Sequence, residues 1–92
     1  MKFIKTKLSG LYLLENQVFK DKRGFFLETF RSDIYKKEKI NVKFVQENHS
    51  RSKKHTLRGL HFQINKPQCQ LVTVIRGKIY DVVVDIRKKS KT

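Results

Sequence analysis

The sequence has few acidic residues and almost no cysteine. Eight Asp and Glu stand against 22 Lys and Arg, which leaves a formal net charge of +14 over 92 residues. Such an excess favours an anionic partner, namely nucleic acid, a phosphate-bearing metabolite or a membrane surface. Cys69 is the single cysteine, so an internal disulfide is excluded and a reducing cytoplasm is expected. We predict that Cys69 is a small buried residue in a strand rather than a nucleophile.

Signals for membranes, phosphate loops and metals are missing as well. No apolar run approaches the ~18 residues of a membrane-spanning helix, and the first residues show no signal-peptide pattern. The sequence contains neither a Gly-rich phosphate loop nor a Gly-x-Ser-x-Gly motif. The position two after His61 is Gln63, with no carboxylate for many residues beyond it, so we expect no bound metal. The length suits one domain, spanning residues 1–92.

Short apolar runs separated by turns predict an antiparallel all-β sandwich or barrel with one short helix. The turn Asp21-Lys22-Arg23-Gly24 joins two of the strands into a hairpin, with Gly24 free to take a positive φ. Residues 87–92 are predicted to be a basic polar end. The predicted strands are residues 11–19, 25–30, 42–46, 56–63, 69–75 and 79–86, and the helix covers residues 33–39 with Ser32 as its N-cap.

One histidine interrupts the strand-like run Thr56-Leu57-Arg58-Gly59-Leu60-His61-Phe62-Gln63. No Asp or Glu occurs from Asn48 to Tyr80, whereas Lys and Arg are frequent there. His61 is either a satisfied core residue or a proton acceptor that faces an anionic ligand. A lone histidine beside basic groups suits removal of a proton next to a carbonyl, with a donor or cation to hold the enolate.

Two further groups of polar residues are open to both a structural and a binding interpretation. Gln46, Asn48 and Ser50 would share one side of a strand, as an ordinary solvent-facing row or as hydrogen-bonding groups for a sugar or base. Arg23 at the hairpin turn is a solvated residue or an anion ligand. The sequence pattern leaves these alternatives open.

Four segments resemble the successive signatures of the dTDP-4-dehydrorhamnose 3,5-epimerase family. The resemblance implies a cupin-like jelly-roll β-sandwich, here a partial barrel, and a homodimer that exchanges its N-terminal hairpin within residues 1–30. It also implies a dTDP-4-keto-6-deoxy sugar as substrate in dTDP-L-rhamnose biosynthesis, without cofactor, metal, nucleic acid or membrane. The segments are Asp21-Lys22-Arg23-Gly24-Phe25-Phe26-Leu27-Glu28-Thr29-Phe30, Phe44-Val45-Gln46-Glu47-Asn48-His49-Ser50, Leu57-Arg58-Gly59-Leu60-His61-Phe62-Gln63 and Asp81-Val82-Val83-Val84-Asp85-Ile86-Arg87.

The same resemblance implies the roles of individual residues. His61 is similar to the base that removes the protons flanking the ketone. Arg23 and Glu28, on the hairpin, are expected to serve the partner subunit's site. Because Arg58 and His61 would face oppositely on a regular strand, Gly59 is expected to allow a bulge or strong twist. The implied substrate ligands are Arg23, Glu28, Gln46, Glu47, Asn48, Arg58 and Gln70.

The sequence departs from the family pattern in two places. Gln70 stands where family members carry a lysine, and glutamine can donate a hydrogen bond to an enolate oxygen without bringing charge. Family members also continue beyond the equivalent of Thr92, and that part holds an acid tyrosine and the carboxylate that orients the histidine. We therefore expect these residues to be the N-terminal half of an epimerase, unable to turn over substrate alone.

Several other functions compete with this interpretation. Within the family, the chain could belong to a 3-epimerase or a related ketosugar isomerase, or be a non-catalytic member or inactive fragment. From another class, the charge alone could describe a basic nucleic-acid-binding barrel, which predicts exposed aromatic residues interleaved with lysines.

Overall fold

The computed structural model describes residues 1–91 and contains four short strands and one helix. These are β1 (Lys2–Lys5), β2 (Tyr12–Glu15), β3 (Val18–Asp21), β4 (Gly24–Leu27) and α1 (Ser32–Lys37). The chain forms two compact units, one made of residues 1–41 and 80–91 and the other of residues 42–79. Thr92, the last residue of the predicted basic end, lies outside the described residues. No helix within residues 1–91 is long and apolar enough to cross a membrane.

Strands β1 and β2 form an antiparallel hairpin whose register pairs Phe3 with Leu14. The connection is held by Thr6, whose hydroxyl donates to the Leu11 carbonyl at 3.0 Å and whose N–H donates to the same oxygen at 3.3 Å. Gly10 takes a φ of +85° in this loop. No strand was predicted from the sequence at β1, whose first and last residues are lysines. Its pairing with β2 decides its conformation.

Strands β3 and β4 form the predicted hairpin. Asp21 pairs with Gly24, so the turn consists of Lys22 and Arg23, and Gly24 takes a φ of +137°. Asp21 Oδ1 accepts the Arg23 N–H at 2.8 Å, a side-chain bond that closes the turn. The single predicted strand 11–19 is wrong, because β2 and β3 belong to separate two-stranded sheets with Asn16 and Gln17 between them.

Helix α1 lies where it was predicted but begins differently. Arg31 is the N-cap and makes no side-chain capping bond, so Ser32 is the first helical residue and not the cap. Asp33 in the first turn and the lysines of the last turn complement the helix dipole. At the other end Lys39 takes a φ of +62°, while the Ile40 N–H donates to the Tyr35 carbonyl at 2.9 Å. This is a Schellman ending with lysine in the usual glycine position.

The small core is centred on α1. Tyr35, 4% exposed, is the only buried apolar residue within residues 1–91. Its ring meets Phe3 edge-on at 5.1 Å between centroids and Phe30 at 4.8 Å. Such T-shaped contacts are favourable beyond the area they bury. They hold the helix, the first strand and the segment after β4 together.

A side-chain cluster ties residues 85–90 to the β1–β2 loop. Arg87 Nη2 donates to Asp85 Oδ2 at 2.7 Å and to the Ser9 carbonyl at 2.8 Å. The Ser90 hydroxyl also donates to Asp85, whose side chain is only 6% exposed. Hydrogen bonds from Arg87 and Ser90 hold the pKa of the Asp85 carboxyl well below its ordinary value. This cluster joins parts of the chain 78 positions apart.

Four predicted strands are absent from the described structure. Residues 42–46, 56–63, 69–75 and 79–86 contain no strand. A strand needs a neighbouring backbone for its hydrogen bonds, and none pairs with these segments within residues 1–91. Most of their apolar side chains are exposed, with Leu57 at 90%, whereas Val42, Phe44 and Leu71 are half-buried. Cys69 is exposed rather than buried. The coarser prediction, antiparallel strands with one short helix, is confirmed.

Candidate active site

The predicted site residues lie in both compact units. Arg23 and Glu28 belong to the unit of residues 1–41 and 80–91, at and just after the β3–β4 hairpin. The unit of residues 42–79 holds the base and the remaining ligands. These are Gln46, Glu47, Asn48, Arg58, His61 and Gln70, all of them exposed.

A basic loop places Arg58. The hydroxyl and the N–H of Thr56 both donate to the Lys53 carbonyl, at 2.7 and 3.2 Å, and close the predicted basic turn. Arg58 Nε then donates to Ser52 Oγ at 2.9 Å. Among residues 1–91, no carboxylate forms an ion pair with Arg58. A guanidinium braced through Nε by a neutral group keeps its outer nitrogens and its full charge for an anion.

His61 is exposed and lies against Gly59 rather than in a core. Gly59 takes a φ of +98°, and a Cβ built on it would be 3.4 Å from His61 Nδ1 and 3.8 Å from Cε1. The imidazole therefore lies within van der Waals distance of the position that a Cβ on residue 59 would occupy. It is accessible to a substrate, as a general base must be. The expected bulge at Gly59 does not form, because a bulge needs a partner strand and this segment has none within residues 1–91.

Two amide pairs lie on either side of the histidine segment in sequence. Gln46 Nε2 donates to Asn48 Oδ1 at 3.1 Å, and Gln70 Nε2 donates to Gln68 Oε1, also at 3.1 Å. The members of each pair are two residues apart, as side chains on one side of an extended segment are. The Gln46–Asn48 contact agrees with the predicted polar row, although no strand forms there. Each amide still has donors and acceptors for a neutral ligand.

At the tip of the hairpin Arg23 is bound to its own turn. Its Nη2 and Nε donate to Asp21 Oδ2 at 2.7 and 3.2 Å, and its side chain is 91% exposed. These bonds from Arg23 lower the pKa of the Asp21 carboxyl. An open depression of about 290 Å³ beside the pair is lined by Asp21, Arg23, Gly24, Phe25 and Phe26. An anion at this tip competes with Asp21 for the guanidinium.

Glu28 is likewise engaged locally. Arg31 Nε lies 3.6 Å from Glu28 Oε1, while Arg31 Nη2 donates to Asp33 Oδ2 at 2.6 Å. The hydrogen bond from Arg31 lowers the pKa of the Asp33 carboxyl. Of the two carboxylates around Arg31, Glu28 is therefore the more weakly bound. It can accept a ligand hydroxyl without breaking the stronger pair.

Two features of this site were not recognised in the sequence. Ser52 is six residues from Arg58, too far apart for the two side chains to touch along a regular strand, so no sequence signal pointed to the contact. The approach of His61 to Gly59 depends on a positive φ, which the glycine alone hinted at. Within residues 1–91, no group of three or more His, Cys, Asp or Glu could hold a metal ion.

The sequence matches the family model described as dTDP-4-dehydrorhamnose 3,5-epimerase over residues 5–92. It is 53% identical over 91 residues to the dTDP-4-dehydrorhamnose 3,5-epimerase of Methanothermobacter thermautotrophicus, covering 99% of this chain and 49% of that protein. Identity to the Neisseria gonorrhoeae protein of that name is 50%, over 100% of this chain and 28% of the relative. Identity to the Shigella flexneri dTDP-4-dehydrorhamnose 3,5-epimerase is 45%, over 100% of this chain and 52% of that protein.

The chain therefore spans about half the length, or less, of these curated relatives. The match includes the histidine segment, the basic loop and both amide pairs, since it runs from residue 5 onward. The resemblance recognised in the four sequence segments is confirmed. By this match the chain belongs to the dTDP-4-dehydrorhamnose 3,5-epimerase family.

Proposed function

We propose that this chain supplies the base-bearing part of an isomerase that epimerises a dTDP-4-keto-6-deoxy sugar at C3 and C5, in the synthesis of dTDP-L-rhamnose. The observation that carries the proposal is the 53% identity to an epimerase over 99% of the chain. The accessible imidazole of His61 and the unneutralised guanidinium of Arg58 support it, because enolate chemistry needs a base and a positive group. The lone cysteine remains in keeping with a cytoplasmic enzyme, which stays a prediction.

The proposed chemistry begins with proton abstraction. His61 takes the proton from a carbon beside the ketone, the C–H electron pair becomes the enolate double bond, and the carbonyl electrons move to oxygen. Arg58 and the Gln70 amide stabilise that oxygen through N–H donors. A proton returned to the opposite face of the carbon inverts it.

An acid on that opposite face completes the reaction. Tyr12, Tyr35 and Tyr80 do not match the family's acid tyrosine, so we propose that this group is supplied from outside residues 1–92. The 92 residues would then bind the substrate, and turnover would need the complementary part of the fold.

The substrate's nucleotide diphosphate is proposed to bind along the acid-free segment. The cations between Asn48 and Tyr80 have no carboxylate neighbours in sequence, so their charge is available to phosphate groups. The neutral Gln46–Asn48 pair, with Glu47 between, suits the hydroxyls and the base.

We further propose that the domain is a cupin-like jelly roll and that its N-terminal hairpin is exchanged in a homodimer. In the β3–β4 register Phe19 pairs with Phe26 on one face, while Phe25 pairs with Lys20 on the other. Phe25 and Phe26 are each 70% exposed, so the hairpin has aromatic residues on both faces with nothing over them. A hairpin inserted between the sheets of a partner would bury both faces. Arg23 and Glu28 would then serve the partner's site.

The test is proton exchange followed in D2O. The chain joined to the second half of the Methanothermobacter relative should incorporate deuterium at both C3 and C5 of the ketosugar, whereas the 92-residue chain should bind dTDP without net epimerisation. Exchange at C3 alone would indicate a 3-epimerase. No exchange by the joined protein, together with single-stranded DNA binding that exceeds dTDP binding at matched salt, would overturn the proposal in favour of a nucleic-acid-binding protein.

A further inference from the structure

We propose that Ser52 is a positioning residue for Arg58. Its neutral hydroxyl holds the guanidinium through Nε, so that the Nη1–Nη2 edge and the whole positive charge are presented to an oxyanion of the bound substrate. The identity of that oxyanion rests on the proposed function. The contact and its effect on the charge rest on the geometry of residues 52–58.

The aspartate-paired arginines of the chain all use one edge of the guanidinium. In Arg23, Arg31 and Arg87, Nε and Nη2 both donate to an aspartate two residues away. The Nη2 distances are 2.7, 2.6 and 2.7 Å. In each of these pairs the Nε–Nη2 edge is occupied, and the carboxylate neutralises the positive charge.

Arg58 is held on the same side by a serine instead of an aspartate. Its Nε donates to Ser52 Oγ at 2.9 Å. Within residues 1–91, neither Nη1 nor Nη2 of Arg58 makes a hydrogen bond or ion pair. A serine hydroxyl accepts the Nε–H without bringing negative charge. The N–H donors of both Nη groups therefore remain for a ligand.

The chain between Ser52 and Arg58 is ordered by its own hydrogen bonds. The Thr56 hydroxyl and N–H both donate to the Lys53 carbonyl, at 2.7 and 3.2 Å. This turn brings Ser52 and Arg58 together across six positions. A guanidinium that is held before the ligand arrives loses less side-chain entropy on binding.

The free edge of Arg58 fits an anion with oxygens side by side. Nη1 and Nη2 each direct an N–H outward along this edge, so together they can donate to two oxygens of one phosphate group. No Asp or Glu occurs from Asn48 to Tyr80 to compete for them. We therefore expect a phosphate of the nucleotide diphosphate at this edge. The enolate oxygen is the other oxyanion that the proposed reaction offers.

The first experiment compares aspartate with asparagine at position 52, two side chains of similar size that both accept from Nε. Ser52→Asp would pair with Arg58 as the native aspartates pair with their arginines. It should lower the affinity for dTDP and for inorganic pyrophosphate about tenfold or more, measured by titration calorimetry at constant salt. Ser52→Asn and Ser52→Thr keep the neutral acceptor and should stay within about twofold of the wild type.

Two controls separate the loss of the Arg58 charge from other effects of an added carboxylate. Ser32→Asp changes the net charge equally at an exposed serine outside the proposed site and should bind as the wild type does. In a double-mutant cycle, Ser52→Asp should cost little further affinity once Arg58→Gln is present. An equal loss with and without the guanidinium would overturn the inference, because the aspartate would then repel the ligand directly. Equal affinities of the Asp and Asn variants, or a wild type that binds neither ligand, would also overturn it.

The second experiment reads the contact without a ligand. The Nε–H signal of Arg58 in 1H–15N spectra of the full chain is assigned by its absence in Arg58→Gln. Ser52→Ala should shift this signal, whereas Ser52→Thr should leave it near the wild-type position. A signal that does not move in Ser52→Ala would overturn the inference.

Deuterium exchange into the ketosugar by the joined protein separates this inference from the proposed function. With a phosphate at Arg58, Ser52→Asp should raise KM and change kcat little. A loss confined to kcat would place the enolate oxygen at the Nη1–Nη2 edge and would still support the role of Ser52. A wild type that shows the expected binding and Nε–H pattern without any exchange would count against the proposed function alone.

Discussion

Residues 2–37 and residues 38–91 have similar sequence patterns and different structures. Both contain short runs of β-branched and aromatic residues bounded by turns, yet all the strands and the helix lie in the first region. There, each strand has a partner and Tyr35 has ring contacts. In the second region most apolar side chains are exposed, among them Val45 at 84% and Leu57 at 90%. A strand-like pattern therefore needs a partner strand and a second layer before it forms a strand.

The acid-free segment from Asn48 to Tyr80 differs from the rest of the chain in how arginine is neutralised. Outside it, Arg23, Arg31 and Arg87 each bind an aspartate two residues away, at 2.7, 2.6 and 2.7 Å. In the acid-free segment Arg58 is braced by Ser52 instead, which leaves its charge intact. The paired arginines stabilise local structure, whereas the charge of Arg58, three residues before His61 in the sequence, is available to a ligand. The region with the least regular structure is thus the one proposed to carry the chemistry.

The largest expected effect tests that division of roles. In the joined protein described above, His61→Ala should reduce ketosugar deuterium exchange by about 10²- to 10⁴-fold, the usual contribution of a general base. His55→Ala, which removes an exposed histidine of the basic turn, should leave the exchange rate near the wild-type value. Equal losses in the two variants would show that the second region contributes charge and no specific base.

The next effect concerns the core of the first region. Tyr35→Ala should cost about 3 kcal/mol of unfolding free energy, because it removes the buried ring and both T-shaped contacts. Tyr80→Ala, at a side chain 94% exposed, should change stability by less than about 0.5 kcal/mol. Urea denaturation followed by circular dichroism measures both. Similar midpoints for the two variants would remove the distinction between a packed and an uncovered region.

A smaller effect is expected at the brace of Arg58. Ser52→Ala removes one hydrogen bond to the guanidinium, worth roughly 0.5–1.5 kcal/mol, so dTDP affinity should fall about two- to tenfold. Ser32→Ala is the matched control, since Ser32 is an exposed serine outside the proposed site. Titration calorimetry at constant salt measures the dissociation constants. An unchanged affinity in Ser52→Ala would mean that Arg58 reaches the phosphate without the brace.

The smallest effect is a pH dependence at Asp85. Its carboxyl pKa is lowered in the folded chain by Arg87 and Ser90, so the ionised form stabilises the fold above the ordinary value of 3.8. That stabilisation is lost as the pH falls below 3.8 and through the lowered pKa. Asp85→Asn should therefore be less stable at neutral pH and show a shallower decline in acid.

Urea midpoints at neutral pH and at several acidic values measure this dependence. Asp81→Asn is the control, since Asp81 forms no ion pair within residues 1–91. A decline in acid that is the same in Asp85→Asn and the wild type would assign the acid sensitivity to other carboxyls, such as Asp21 and Asp33.

Local chemistry explains which parts of the structure were predictable. The β3–β4 turn was predicted because Asp21 and Gly24 favour it over any alternative, and the helix because its charges match its dipole. Ser32 was wrongly assigned as the cap because the chain enters the helix one residue earlier, at Arg31. The prediction that Cys69 is buried was wrong, because the strand predicted over residues 69–75 has no partner strand within residues 1–91. The sequence motifs identified the candidate site residues, but they did not predict the contacts that those residues make.

The amino-acid sequence by itself determined the family, the charge, the hairpin, the position of the helix and the identity of the candidate base, because each depends on residue types and their order or on residues close together in the chain. Only the tertiary structure decided which apolar runs pair, that Tyr35 is the one buried apolar side chain within residues 1–91, and that Ser52 holds Arg58. These outcomes depend on backbone partners and dihedral angles, which residue types restrict but do not specify.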